Sequence, residues 1–80
     1  MNEVAPRVVV VEDERQIRRF VRTALEDEGC QVYEAETAVQ GLVEAGARKP
    51  DLVILDLGLP DRDGIAVIRD LRSWSDVPVL

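Results

Sequence analysis

Asp56 follows an unbroken apolar run, Leu52-Val53-Ile54-Leu55, and opens the loop Leu57-Gly58-Leu59-Pro60-Asp61-Arg62-Asp63-Gly64. A second apolar run, Val8-Val9-Val10-Val11, ends in Glu12-Asp13-Glu14. Two buried strands that each deliver carboxylates at their carboxyl ends make a site, because open α/β sheets bind ligands at that edge. Carboxylates crowded together repel one another and call for a cation or a shared proton. A hard divalent cation such as Mg²⁺ suits all-oxygen ligands. The expected chemistry is therefore metal-assisted and runs on, or with, Asp56.

Composition narrows the field further. The chain has 80 residues, a formal net charge of −6, one cysteine and no histidine. Without histidine there is no His-based metal site, no Ser-His-Asp triad and no imidazole acid–base catalysis. Cys30 alone makes neither an internal disulfide nor a cysteine zinc site. The acidic balance argues against direct nucleic-acid binding, which needs a surplus of Lys and Arg against phosphate. No apolar stretch approaches the ~18 residues a membrane span requires, and the amino terminus lacks the pattern of a signal peptide. The expectation is a soluble, cytoplasmic protein. Carboxylate chemistry is what remains. The one lysine, Lys49, precedes Pro50 at the amino end of the third predicted strand, away from Asp56.

The elements that must position these carboxylates can be read from periodicity. Residues 7–11 read as a buried strand. Residues 15–28 read as a helix, with Ile17, Phe20, Val21, Ala24 and Leu25 forming one apolar stripe and Gly29 stopping it. Residues 31–35 read as a second strand. A second helix starts at Thr37, with Gln40 three residues on as in a capping box and Val39, Leu42 and Val43 as its apolar face. Residues 51–56 make the third strand. Residues 64–72 make a third helix with Ile65, Ile68 and Leu71 on one face, and residues 77–80 begin a fourth strand. Strict alternation of strand and helix predicts an α/β fold, a doubly wound parallel sheet. Because the chain stops inside a strand, the expectation is a domain cut short whose fourth-strand edge is open. Such an edge favours self-association, with an intertwined or swapped dimer as one form.

Val10-Val11-Glu12-Asp13-Glu14, Leu55-Asp56 and Leu59-Pro60-Asp61-Arg62-Asp63-Gly64 together resemble the receiver domain of two-component response regulators. The stretches Gln16 to Phe20, Arg48 to Asp61 and Ile68 to Arg72 are similar to the OmpR-type subfamily, and within it to regulators of high-affinity potassium uptake. The resemblance implies a flavodoxin-like receiver fold over residues 1–80, partial, with no DNA-binding domain in this chain. It implies that Asp56 is the phosphoacceptor for a histidine kinase's phosphoryl group. Mg²⁺ would be held by Asp13, Asp56 and the Gly58 backbone carbonyl, and by Glu12 through water. Pro60 and Gly64 would shape the loop after the phosphoacceptor. The Ser or Thr that the family uses at the end of its fourth strand, the Lys after its fifth, and its later elements fall beyond Leu80 in the family's layout. A fragment lacking them would phosphorylate poorly and would not switch. Control of transcription, of potassium transport genes, would belong to the intact protein.

Two rival readings are carried beside this one. A Mg²⁺-dependent phosphohydrolase with an aspartate nucleophile would need a second aspartate two residues after the first, where Gly58 stands. A pure dimerisation or interaction module would need neither metal nor phosphate. Of the remaining candidates, Arg15, Arg18, Arg19 and Arg22 form a basic stretch that reads as a solvated face, with Arg18 and Arg22 as a kinase-docking alternative. Asp13 could also cap the first helix. Asp61 and Asp63 read as turn residues. Trp74 reads as packing and Cys30 as an unactivated loop residue.

Overall fold

A computed structural model describes residues 4–80. Its elements are β1 (Arg7–Val11), α1 (Arg15–Asp27), β2 (Gln31–Ala35), α2 (Ala38–Arg48), β3 (Leu52–Leu55) and α3 (Gly64–Arg72). The three strands form one parallel sheet in the order β2-β1-β3. β1 is central. Val11 lies opposite Ala35 on one side and opposite Leu55 on the other. Residues 77–80 then run along the free side of β3, where Val53 bridges Val79 in parallel. The Val53 amide donates to the Pro78 carbonyl at 2.9 Å, and the Leu80 amide to the Val53 carbonyl at 2.9 Å. The expected fourth strand is thus present as its first pairing, giving the order expected of a flavodoxin-like sheet.

Both faces of β1 are dry: Val8, Val9, Val10 and Val11 are all buried. That is why the run is continuous and not alternating. Val9, Val11, Val53 and Leu55 point to the face covered by α2 and α3, where they meet Ala38, Ala45, Leu59, Val67, Leu71 and Val77 in the main core. α1 packs on the other face, against β1 and β2.

The expected helix faces hold in part: Val21 and Leu25 of α1, Leu42 of α2, and Ile68 and Leu71 of α3 turn to the core. In α1 the residues turned to the sheet are Arg18, which is buried, with Val21 and Leu25 half-buried. The stripe Ile17-Phe20-Ala24 is exposed, Phe20 at 75%. α2 docks through Ala38, Gly41 and Ala45, leaving Val39 and Val43 in solvent and Leu42 packed at the margin. α3 docks through Gly64, Val67 and Leu71, while Ile65 is exposed. Small side chains let the second helix approach closely. A methyl group on Gly41 would stand 2.6 Å from a Val11 Cγ. In the segment that begins the fourth strand, Val77 is covered, at 9% exposed, while Leu80 is 78% exposed.

The helix ends follow local chemistry. Gly29, at φ 89°, closes α1 in a Schellman motif: its amide donates to the Glu26 carbonyl and that of Cys30 to the Leu25 carbonyl, each at 3.0 Å. The Thr37 hydroxyl accepts from the Gln40 amide at 3.1 Å and so caps α2. Gln40 reaches back one residue further than a capping box, to the Glu36 amide. None of the helices among the described residues is long and apolar enough to cross a membrane.

Candidate functional site

The site follows from register. Because Val11 and Leu55 are paired neighbours, the next residues of both strands, Glu12 and Asp56, emerge side by side at the carboxyl edge. The pairing is continued by the Asp56 amide, which donates to the Val11 carbonyl at 3.0 Å. On the other side the Glu12 amide donates to the Ala35 carbonyl at 3.0 Å. Asp13 follows in the turn to α1. Glu12, Asp13 and Asp56 each bring a carboxylate oxygen into one group whose members lie within 4.8 Å of one another. Glu12 and Asp56 are half-buried and Asp13 is exposed, so the cluster opens to solvent.

The electrostatics of the cluster are strained. Partial burial pushes the Glu12 carboxyl above its ordinary range. The Glu14 amide, which donates to Glu12 Oε2 at 3.0 Å, pulls it back. The Asp56 charge and the closeness of the Asp13 and Asp56 carboxylates raise it again. The three carboxylates form an all-oxygen donor set, and such a set suits a hard divalent cation better than a thiophilic metal.

The other expected site residues are distributed around this cluster. Gly58 lies in the loop directly after β3, and its amide donates to Asp56 Oδ1 at 3.1 Å. Pro60 is exposed in the same loop, and the buried Leu59 beside it anchors the loop to the core. Gly64 is buried at the first turn of α3 against Leu57. Asp13 does not cap α1: the cap position is Glu14, and no side chain fills it. Lys49 ends α2 in the left-handed region, beside Pro50 and Asp51, and the Asp51 amide bonds to the Arg7 carbonyl at the start of β1. It therefore sits at the amino edge, opposite the carboxylates.

Two expectations need correction. Arg18 was expected on a solvated or docking face, but it is 8% exposed and engaged internally. Its Nε donates to Glu34 at 3.1 Å and its Nη1 to the Glu12 backbone carbonyl at 2.9 Å. Arg22 is partly exposed and bonded to Glu26 and Glu34. Arg18 is thus withdrawn from solvent, while the Arg22 side chain keeps 46% of its surface exposed. Asp61, read as a turn residue, reaches across to α2 and accepts from the Ala38 and Val39 amides at 2.8 and 3.1 Å. Asp63 is the local cap of α3, accepting from the Ile65 amide at 2.9 Å.

The model of the response regulator receiver domain matches residues 8–80. The chain belongs to that family. It is 68% identical to the KDP operon transcriptional regulatory protein KdpE of Escherichia coli K12 over 91% of its length. It is 48% identical to the transcriptional regulatory protein KdpE of Mycobacterium tuberculosis, over the same share. Each match covers 32% of the relative, so this receiver chain spans about a third of the curated regulators it resembles. Among solved structures, the chemotaxis response regulator CheY4 of Vibrio cholerae superposes with a TM-score of 0.90 at 26% identity, over 95% of this chain and 66% of that one. The α/β receiver fold is therefore shared with a structure that diverges widely in sequence.

Proposed function

We propose that this receiver accepts a phosphoryl group on Asp56, with Mg²⁺ held by Asp13, Asp56 and the Gly58 carbonyl and touched by Glu12 through water. The observation that carries the reading is the convergence of Glu12, Asp13 and Asp56 at the carboxyl edge of the sheet. An Asp56 carboxylate oxygen attacks phosphorus of a phosphohistidine or a small acyl phosphate. A P–O bond to Asp56 forms, the bond to the donor breaks, and the donor atom keeps its electron pair. Nucleophile and phosphoryl group are both anionic, and the cation supplies the charge neutralisation that lets them approach. Glu12 and Asp13 keep the site acidic. The Gly58 amide orients Asp56 through Oδ1, leaving the second oxygen for attack. Lys49 is at the opposite edge, so neutralisation by this chain's own side chains is weak.

The donor in the whole protein would be a histidine kinase. The product is an acyl phosphate on the protein, so the chain acts as an acceptor and not as a turnover catalyst. The similarity to KdpE regulators supports transcriptional control of potassium transport genes by the whole protein, exerted outside this acidic chain. Pro60 and Gly64 shape the loop that follows Asp56. The test is intact mass after incubation with Mg²⁺ and acetyl phosphate. The parent is expected to gain one phosphoryl group, which is lost on adding a chelator and never seen in Asp56→Asn. Labelling of Asp56→Asn, or labelling indifferent to the chelator, would refute the assignment.

A further inference from the structure

Among the described residues one charged side chain is buried, and phosphoryl chemistry makes no use of it: Arg18. A buried guanidinium costs desolvation unless it is paired and fully hydrogen-bonded. Arg18 is paired with carboxylates and hydrogen-bonded through Nε and Nη1. Glu34 of β2 accepts from its Nε, and Glu36 stands 3.8 Å from its Nη2. Its third partner is a neutral one, the backbone carbonyl of Glu12. Glu12 is the first residue past β1, where the ladder to β2 ends with the Glu12 amide on the Ala35 carbonyl. Its carbonyl has no strand partner in that ladder, and Arg18 supplies one by folding back from the first turn of α1. Glu12 is thereby held on both sides, its amide by β2 and its carbonyl by Arg18. The held carbonyl belongs to the peptide that joins Glu12 to Asp13. Rotation of that peptide would swing the Asp13 carboxylate out of the cluster.

We propose that Arg18 is a positioning residue of the acidic site, a clamp on the Glu12–Asp13 peptide that sets where the two carboxylates stand. A bare cation beside a cation site would repel the metal, so any gain from Arg18 must be geometric. Glu34 makes the arrangement workable, since its carboxylate pairs with both Arg18 and Arg22 and offsets their charge locally. Arginine suits the task because its planar fork serves two acceptors at once, which a lysine ammonium on a flexible stem does less well.

This inference rests on the reading of Asp13 and Asp56 as cation ligands, and its test separates the two. Mg²⁺ is titrated into ¹⁵N-labelled chain while the amide signals of Asp13, Asp56 and Gly58 are followed, in the parent and in Arg18→Met, Arg18→Lys and Arg22→Met. Partners one layer behind metal ligands typically contribute about 10–100-fold in metal affinity. Arg18→Met is expected to weaken Mg²⁺ binding about tenfold, with Arg18→Lys between it and the parent. Arg22→Met removes a charge from the same network without touching Glu12, and is expected to bind as the parent does or slightly tighter. In metal-free samples the Glu12 and Asp13 amide signals are expected to move in both Arg18 variants and to stay in Arg22→Met. Parental affinity in either folded Arg18 variant would overturn the proposal, as would an equal loss in Arg22→Met. If Arg18→Met does not fold, Arg18→Lys carries both readouts. If the parent shows no Mg²⁺-dependent change, the cation reading fails. The clamp is then judged by the metal-free signals, and unmoved Glu12 and Asp13 amides overturn it.

Discussion

Substituting Gly64 by alanine should destabilise the chain and displace Asp56 at the same time. Gly64 opens α3 beneath the loop that carries Asp56. A methyl group there would lie 2.4 Å from Leu57 Cδ2, 3.0 Å from Leu57 Cα and 3.2 Å from Leu57 Cβ. The first contact can be relieved, because Leu57 is 61% exposed and its side chain can turn away. The other two cannot, since they involve the backbone one residue after Asp56. Inserting a methyl into a closely packed place typically costs about 1–3 kcal/mol. Alanine recovers part of the ~1 kcal/mol that glycine forfeits in a helix interior, though less at a first turn. The net loss expected is about 1–2 kcal/mol. For a chain of this size that lowers the melting temperature by about 4–16 °C. Thermal unfolding followed by circular dichroism measures it, and phosphorylation by acetyl phosphate is expected to fall with it at temperatures where the variant is fully folded.

The same geometry supplies its own controls. Gly46 is also helical and exposed, but its methyl would meet only the Trp74 ring, at 3.8 Å. Gly46→Ala should therefore stabilise, by about 0.5–1 kcal/mol. Adding Leu57→Ala to Gly64→Ala removes the Cδ2 contact and keeps those to Cα and Cβ, so recovery should be partial. Parental stability in Gly64→Ala would refute the reasoning, and so would complete recovery in the double variant, which would place the whole conflict in a movable side chain.

Two further outcomes are expected. The Asp61 carboxyl is held below its ordinary value of 3.8, chiefly by the Ala38 amide and also by that of Val39. A depressed folded-state pKa contributes stability that is present above the unfolded value and lost as pH falls through the folded one. Asp61→Asn should thus destabilise the chain at neutral pH, with the difference from the parent closing below about pH 4; a difference that stays constant down to strong acid would count against the ionised cap. The chain should also self-associate through the free edge of residues 77–80 and the exposed Ile17-Phe20 stripe, with Leu80 at 78% exposure and Phe20 at 75%. Sedimentation velocity should show mass rising with concentration, less so in Phe20→Ser, and a clean monomer at high concentration would sink the idea.

The strands and the acidic cluster were legible because each depends on a signal confined to a few neighbouring residues. Val8 to Val11 is buried on both faces and reads as an unbroken apolar run, and the register of two such runs brings Glu12 and Asp56 together. The helix faces were legible only in part, for a physical reason. A hydropathy stripe locates large apolar side chains, whereas α2 and α3 approach the sheet through Ala38, Gly41, Ala45 and Gly64, whose virtue is small size. In α1 the contact face keeps Val21 and Leu25 of the stripe but takes Arg18 in place of Ile17, a guanidinium with a long apolar stem that pairs with Glu34.

What escaped sequence reading at the site has one character: each device acts between segments distant in the chain. Arg18 joins the turn after β1 to Glu34 of β2, 16 residues on. Asp61 joins the loop after β3 to the start of α2, 23 residues back. Their local spacing points instead to a basic helix face and a turn aspartate, both common and both uninformative. Yet these long-range bonds supply what the strands alone cannot. Register places Glu12 and Asp56 with the precision of a β-ladder, but Asp13 and the residues after Asp56 lie beyond the ladder, where no strand partner restrains them. Arg18 holds the first of these connections, and Asp61 and Gly64 hold the second. The carboxylate that leaves the sheet furthest, Asp13, should therefore be the one whose place is most sensitive to substitutions outside the site. Amide signals in the Arg18 variants are expected to move most at Glu12 and Asp13 and least at Asp56, whose own amide is tied to Val11; equal movement at all three would mean that the cluster is set by the sheet alone.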